Sequence, residues 1–195
     1  MCKTDGSIRF ADRAGWILVG GLSRRMGTDK ALLAPAGAIR VAAAISPVCG
    51  TVILVGDPAK YSSLGLPVIP DAFPGIGPIA GIEAALRSTS VDNNLIVACD
   101  MPALDAAILD ALFEAGGDCS LPQYPNGKIE PLCAVYHRRC AQAVRTALEN
   151  GLRRVTDLPQ VLASQGFELR YLQVSSPAPF ANLNTPEDVA RYPNG

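Results

Sequence analysis

Short, near-continuously apolar runs recur along this chain, separated by stretches in which apolar residues return every three or four positions. Gly15-Trp-Ile-Leu-Val-Gly-Gly reads as a buried strand ending in a glycine turn, and Thr51-Val-Ile-Leu-Val-Gly as a second strand. Leu66-Pro-Val-Ile-Pro is a short third, and Asn94-Leu-Ile-Val-Ala-Cys-Asp a fourth. Strands without polar alternation are expected where helices cover both faces of a parallel sheet. Residues 39–45, 79–87 and 106–115 have helical spacing and an Ala/Leu composition. The alternation predicts an α/β fold with right-handed crossovers, a three-layer sandwich about a mostly parallel central sheet.

The second half is less regular. Residues 119–123 and 131–137 read as strands, the latter pairing antiparallel at the far side of the sheet. Residues 138–150 read as a helix that Gly151 terminates, 155–165 as another helix and 167–174 as a strand. Thr185-Pro-Glu-Asp has the form of a capping box, with proline at the first helical position. One domain over residues 14–195 is expected, after a polar extension of residues 1–13, with an N-terminal half to about 117 and a C-terminal half from 118.

Composition narrows the function. Of the 195 residues, 49% are hydrophobic and 18% charged, which suits a packed core and not disorder. Lys plus Arg number 17 against 18 for Asp plus Glu, a net charge of -1 without a polybasic tract. A nucleic acid polymer or a membrane surface is therefore a poor partner, whereas a small anion needs only a few placed cations. The six cysteines include no C-x-x-C pair, and Cys49, Cys99, Cys119 and Cys133 lie in or beside apolar runs, so reduced and mostly buried thiols are expected. With no apolar export segment at the start, the expected location is cytoplasmic.

The richest segment is Leu18-Val-Gly-Gly-Leu-Ser-Arg-Arg-Met-Gly-Thr-Asp-Lys. Glycines let the backbone approach a ligand and aim successive N–H groups at phosphate oxygens. Arg24, Arg25 and Lys30 follow within ten residues, enough cations to neutralise a triphosphate and a departing pyrophosphate. The spacing matches neither the P-loop nor the dinucleotide fingerprint. It resembles, without a gap, the motif L-x-G-G-x-S-x-R-M-G-x-x-K of the molybdenum cofactor guanylyltransferase family.

That resemblance implies a Rossmann-like nucleotidyltransferase fold in which Leu18, Val19, Gly20 and Gly21 wrap the nucleotide while Arg25 and Lys30 hold its phosphates. Related cytidylyltransferases usually carry Ala-Gly where this chain has Gly20-Gly21, and the room gained fits a guanine. Asp71-Ala-Phe-Pro-Gly-Ile-Gly-Pro-Ile-Ala-Gly-Ile resembles the family's second motif, placing Asp71, Gly75 and Gly77 on the nucleotide. It is an exposed backbone loop leading into a helix, whose amides and carbonyls can read a base edge. Cys99-Asp-Met-Pro resembles the C-D-x-P that carries the metal-binding aspartate. Asp100 is accordingly the expected ligand for Mg²⁺, although an aspartate here also reads as the N-cap of the following helix. Phe180-Ala-Asn-Leu-Asn-Thr-Pro-Glu-Asp resembles the C-terminal motif, with Asn184 assigned nearer the metal and Asn182 nearer the acceptor. Lys128, Arg153 and Arg154 lie in segments similar to the family's pterin side. His137, the only histidine, has no evident partner for chemistry and receives no role.

Two departures stand out. The 36–47 segment is shorter than the family's usual helix, and relatives often have asparagine for base contact where this chain reads Val55-Gly56-Asp57. Either Asp57 accepts from the guanine N1–H and amino group, or that contact is lost. The resemblance implies transfer of GMP from GTP to the phosphate of Mo-molybdopterin, with the GTP site in the N-terminal half and the acceptor in the C-terminal half. It leaves room for transient contacts with other cofactor-biosynthesis proteins or target molybdoenzymes. The alternatives are a cytidylyltransferase or another nucleotidyltransferase of this fold, or a non-catalytic module that binds GTP or cofactor and delivers it.

Overall fold

The computed structural model describes residues 10–20, 30–32, 37–73 and 75–181. Seven strands form one sheet: β1 Arg13–Leu18, β2 Thr51–Val55, β3 Val68–Ile69, β4 Asn93–Ala98, β5 Cys119–Gln123, β6 Cys133–His137 and β7 Leu169–Gln173. Their spatial order is β3-β2-β1-β4-β6-β5-β7. β1 pairs parallel with both β2 and β4, β2 with β3, and β5 with β7. β6 alone runs the other way, antiparallel to β4 on one side and β5 on the other. Because β2 lies on one side of β1 and β4 on the other, the winding reverses at β1, which defines a switch point in a doubly wound sheet.

Side chains alternate between two apolar layers. Ile17, Leu54, Leu95, Val97 and Val135 face α1 (Ala38–Ile45) and, beyond α2 (Pro58–Tyr61) and α3 (Pro78–Ser88) in the chain, α4 (Ala106–Ala115). Trp16, Leu18, Ile96, Ala134 and Tyr136 face α3, α5 (Ala141–Glu149) and α6 (Leu158–Ser164). Helices thus cover both faces, the burial that non-alternating strands require. No helix among the described residues is long and apolar enough to cross a membrane.

The elements differ from expectation where proline or a local cap intervenes. The strand expected from residue 131 begins at Cys133, because Pro131 has no N–H and the Cys133 N–H turns back to the Glu130 carbonyl at 3.1 Å. Nor is β6 at the margin of the sheet; β5 and β7 lie beyond it. The helix expected over 138–150 starts as a 3-10 turn, Arg138–Cys140, in which His137 Nδ1 accepts the Arg139 N–H at 3.1 Å. The helix expected from residue 155 also opens as a 3-10 turn, Val155–Asp157, with Pro159 in the first turn of α6. α2 was not anticipated, although Asp57-Pro58 supplies both its N-cap and its proline at the first turn. The Thr185 capping box lies outside the described residues.

Buried polar groups fasten the amino-terminal ends of the parallel strands. Asn94 Oδ1 accepts the Trp16 indole N–H at 3.0 Å, while its amide donates to Val91, Asp92 and Tyr136 carbonyls. Asp118 is 2% exposed. It accepts two donors from the Arg139 guanidinium and the Glu168 N–H at 2.7 Å, tying β5, β6 and β7 together. The five described cysteines are all free thiols, four of them buried. Burial pushes Cys49 and Cys140 up to about 12, which makes them inert packing groups.

The Arg139 guanidinium holds the Asp118 carboxyl below the usual carboxylate range. A depressed folded-state value contributes stability above the unfolded value, and that contribution is lost as pH falls through the folded one. Asp118→Asn should therefore lose about 2 kcal/mol at neutral pH. The difference from wild type should be complete above about pH 4 and close below it, as urea unfolding across pH will measure.

Candidate functional site

All parallel strands end at one rim of the sheet. There the chain leaves β1 through Val19 and Gly20, β2 through Gly56 and Asp57, β3 through Pro70 and Asp71, and β4 through Cys99 and Asp100. Backbone hydrogen bonds draw these exits together: Val19 N–H to the Val55 carbonyl at 3.0 Å, Gly56 N–H to Ile69 at 2.9 Å, and Cys99 N–H to Leu18 at 3.3 Å. Between them opens a cleft of about 1020 Å³, lined by Leu18, Val19, Gly20, Gly56, Asp57, Asp71, Gly75, Gly77 and Gly81 among others. That volume is at the upper end of small-molecule sites and admits a nucleotide.

Five glycines, Gly20, Gly56, Gly75, Gly77 and Gly81, are among the residues that line the cleft, and at Gly56 the reason is steric. A Cβ at Gly56 would stand 2.1 Å from the Val19 carbonyl oxygen and 3.0 Å from Tyr61 Cε2. Only a residue without a side chain lets the β2 exit cross so close over β1. Gly77 has φ of 113° and precedes Pro78, the first residue of α3. Its conformation turns the loop sharply into a helix whose N-terminal amides face the rim, a favourable place for an anion. The turn at Asp71 is fixed by its own carboxylate, which accepts the Phe73 N–H at 2.7 Å.

Of the nucleotide residues expected from sequence, Leu18, Val19, Gly20, Asp57, Asp71, Gly75 and Gly77 line this single cleft. Gly21, Arg24, Arg25, Asn182 and Asn184 lie outside the described residues, and Lys30 is described by its backbone alone, opening a 3-10 turn to Leu32. Asp57 also caps a helix: its Oδ1 accepts the Ala59 N–H at 2.9 Å at the start of α2. A carboxylate retains acceptor capacity after one such bond. Lys60 and Tyr61 also line the cleft and were not anticipated. The Asp-Pro cap was the signal that would have placed them there.

Asp100 is not in the cleft wall. It sits half-buried on the other side of the β1 exit, between the cleft and the β6-β5-β7 portion of the sheet. The N-cap of the next helix is Asp105, whose Oδ1 accepts the Ala107 N–H at 2.7 Å, so capping does not account for Asp100. Arg40, within the shortened segment, donates from Nε to the Pro102 carbonyl at 3.2 Å and steadies the loop after Asp100. Among the described residues no three His, Cys, Asp or Glu side chains cluster as metal ligands. A hard dication held by one or two carboxylates, water and phosphates needs no such cluster, and one half-buried carboxylate at a strand end fits that chemistry.

The basic residues expected on the acceptor side differ in their engagements. Lys128, on the β5–β6 connection at this rim, pairs with Glu130 at 3.0 Å and stands 5.5 Å above the Tyr124 ring. Tyr124 in turn packs edge-on against Phe180. Arg153 donates Nη1 to the Leu148 and Leu152 carbonyls, at 3.0 and 2.8 Å, which caps the end of α5. Arg154 is exposed, 4.0 Å from Asp157. Since α6 descends to the start of β7 beside Cys119, the α5–α6 turn carrying both arginines stands at the rim end.

An open parallel sheet with a glycine-walled cleft at its switch point, backed by a carboxylate, defines a nucleotide-handling α/β protein. The family model of the MobA-like NTP transferase domain matches residues 15–165, and the chain belongs to that family. It is 37% identical over 182 residues to the "Probable molybdenum cofactor guanylyltransferase" of Carboxydothermus hydrogenoformans, covering 90% of this chain and 92% of the relative. It is 33% identical to the molybdenum cofactor guanylyltransferase of Mesorhizobium japonicum, covering 92% and 94%. Among solved structures, molybdopterin-guanine dinucleotide biosynthesis protein A from Archaeoglobus fulgidus superposes with a TM-score of 0.72 at 29% identity, covering 91% of this chain and 95% of that one.

Gly56→Ala should be severe for so small a change, because the new methyl would displace the Val19 carbonyl or the α2 segment. Overpacking of this kind costs about 3 kcal/mol, and the urea unfolding midpoint should fall accordingly.

Proposed function

We propose that this protein transfers GMP from GTP to the phosphate of molybdopterin. The observation that carries the reading is the division at the β1 exit, with a glycine-lined cleft on one side and Asp100, at the end of β4, on the other. A nucleotide in the cleft, with its base against the 71–77 loop and Asp57, extends its phosphates toward β1's exit and the amino end of α3. The acceptor then approaches over β6, β5 and β7, where Lys128 and Arg154 offer cations to its anionic end and Arg153 steadies the turn beside them. Asn182 and Asn184, outside the described residues, are assigned to the acceptor and the metal by their motif alone.

The reaction is an in-line displacement. An oxygen of the acceptor phosphate forms a bond to the α-phosphorus of GTP. The bond from that phosphorus to the bridging oxygen breaks, and pyrophosphate leaves with the electron pair. No protein nucleophile is needed, because a phosphate monoester is largely ionised near pH 7. Gly20, Gly21, Arg25 and Lys30 hold the triphosphate, and the two cations stabilise the charge growing on pyrophosphate. Asp100, with Asn184, would hold Mg²⁺, which supplies charge neutralisation between the two phosphates. What the protein contributes is position and preorganised charge, as in phosphoryl transfer generally.

GTP should bind at least tenfold more tightly than CTP, about 1.4 kcal/mol, measured by titration calorimetry and followed by pyrophosphate release with molybdopterin. Equal or better binding of CTP would instead assign the cytidylyl reaction. Binding without pyrophosphate release would leave only a delivery module. Asp100→Asn should keep its circular dichroism spectrum but lose most Mg²⁺-dependent turnover, since a neutral amide is a poor partner for a hard dication. Normal pyrophosphate release by this variant would place the metal elsewhere.

A further inference from the structure

The 71–77 loop is gripped from behind by a side chain of the other half of the chain. The Arg145 guanidinium on α5 lies over the Phe73 ring, 4.8 Å from its centroid. Its Nε donates to Glu149 at 2.7 Å and its Nη1 to Glu83 Oε1 at 3.3 Å. Glu83, on α3, is 1% exposed and also meets Arg87 Nε at 3.3 Å. Its second oxygen, Oε2, is buried without a hydrogen-bond partner among the described residues. A carboxylate withdrawn from water this far depends on its two arginines, so the position of Arg145 is tightly set.

The geometry requires an arginine. Two edge nitrogens point at two carboxylates while the flat face covers an aromatic ring, and a lysine, a point charge on a flexible stem, cannot meet all three. The ring so held belongs to the turn itself. The Phe73 N–H bonds to Asp71 Oδ1 at 2.7 Å, and the Phe73 carbonyl accepts the Ile76 N–H at 3.3 Å. Fixing the ring therefore steadies the two backbone contacts that tie Phe73 to Asp71 and to Ile76.

We propose that Arg145 is a positioning residue that, through Phe73, holds the 71–77 loop in its base-binding conformation and so sets nucleotide affinity rather than the rate of transfer. This rests on the assignment of the cleft to GTP. Without the grip the loop samples other turns, and GTP bears the cost of ordering it on binding.

Arg145→Lys and Phe73→Leu, made in the full chain, test it by calorimetric titration with GTP and Mg²⁺. Each should raise the Kd about tenfold, leaving kcat at saturating GTP within about twofold of wild type, as expected for lost ground-state binding. The double variant should be no weaker than about either single one, because both remove one contact. Asp118→Asn, which weakens the fold at the opposite end of the sheet, should bind GTP like wild type. Unchanged Kd in Arg145→Lys and Phe73→Leu would overturn the proposal, as would an equal loss of affinity in Asp118→Asn or fully additive losses in the double variant. A wild type that binds GTP alongside unchanged variants refutes the positioning role alone. A wild type that binds no GTP refutes the cleft assignment and this role with it.

Discussion

Around the end of β1 the backbone is packed without room for side chains, and the site depends on that crowding. The β2 exit crosses Val19 at a distance only Gly56 permits, while on the other face of the sheet a Cβ at Gly81 would meet Leu18 Cδ2 at 2.9 Å. These two contacts set the height of the cleft floor and the approach of α3 to the sheet. The close approach of α3 brings its first turn to the rim, where Gly77, Pro78 and Gly81 line the cleft. Hydrophobic burial holds the layers together, but steric exclusion at two glycines decides where a ligand can lie.

The two ends of the sheet divide the polar work. At the amino ends of the parallel strands, Asn94 and Asp118 have every described acceptor or donor role satisfied by indole, guanidinium and backbone partners. Those bonds rigidify the strands and leave nothing for chemistry. At the carboxyl ends, the polar residues are half-exposed or exposed and arranged along loops. Asp57, Asp71 and Asp105 each use a carboxylate oxygen to fix a local turn. Asp100 stands half-buried among them at the end of β4.

Much of this was legible in the residues, unevenly. The apolar runs of β1, β2 and β4 and the helical spacing of α4 are long enough that pattern alone locates them. β5 was read to the residue because strand signals end abruptly at Tyr124. The shape of the second half was harder, since the place of β6 beside β4 depends on pairings distant in sequence, such as Asn94 with Tyr136. α2 was hidden by Asp57, whose residue type suits both a base contact and a helix cap. Arg153 shows the same ambiguity: a cation near a site also suits the carbonyls at a helix end. The cleft residues were legible mainly through the resemblance of the 18–30 and 71–82 segments to the family's motifs, whereas the grip of Arg145 on Phe73 joins positions 72 residues apart and leaves no local trace.

The arrangement of β1 also bears on how the chain is made. Its neighbours come from residues 51–55 and 93–98, so the most buried strand emerges from synthesis first and waits for both partners. α1 and β2 follow before β4 does, so the edge of Trp16-Ile-Leu-Val that β4 covers is the last to close. Parallel sheets of this kind form slowly and expose aggregation-prone strands while they do. That open edge is where a growing chain is exposed to mispairing before the cleft exists.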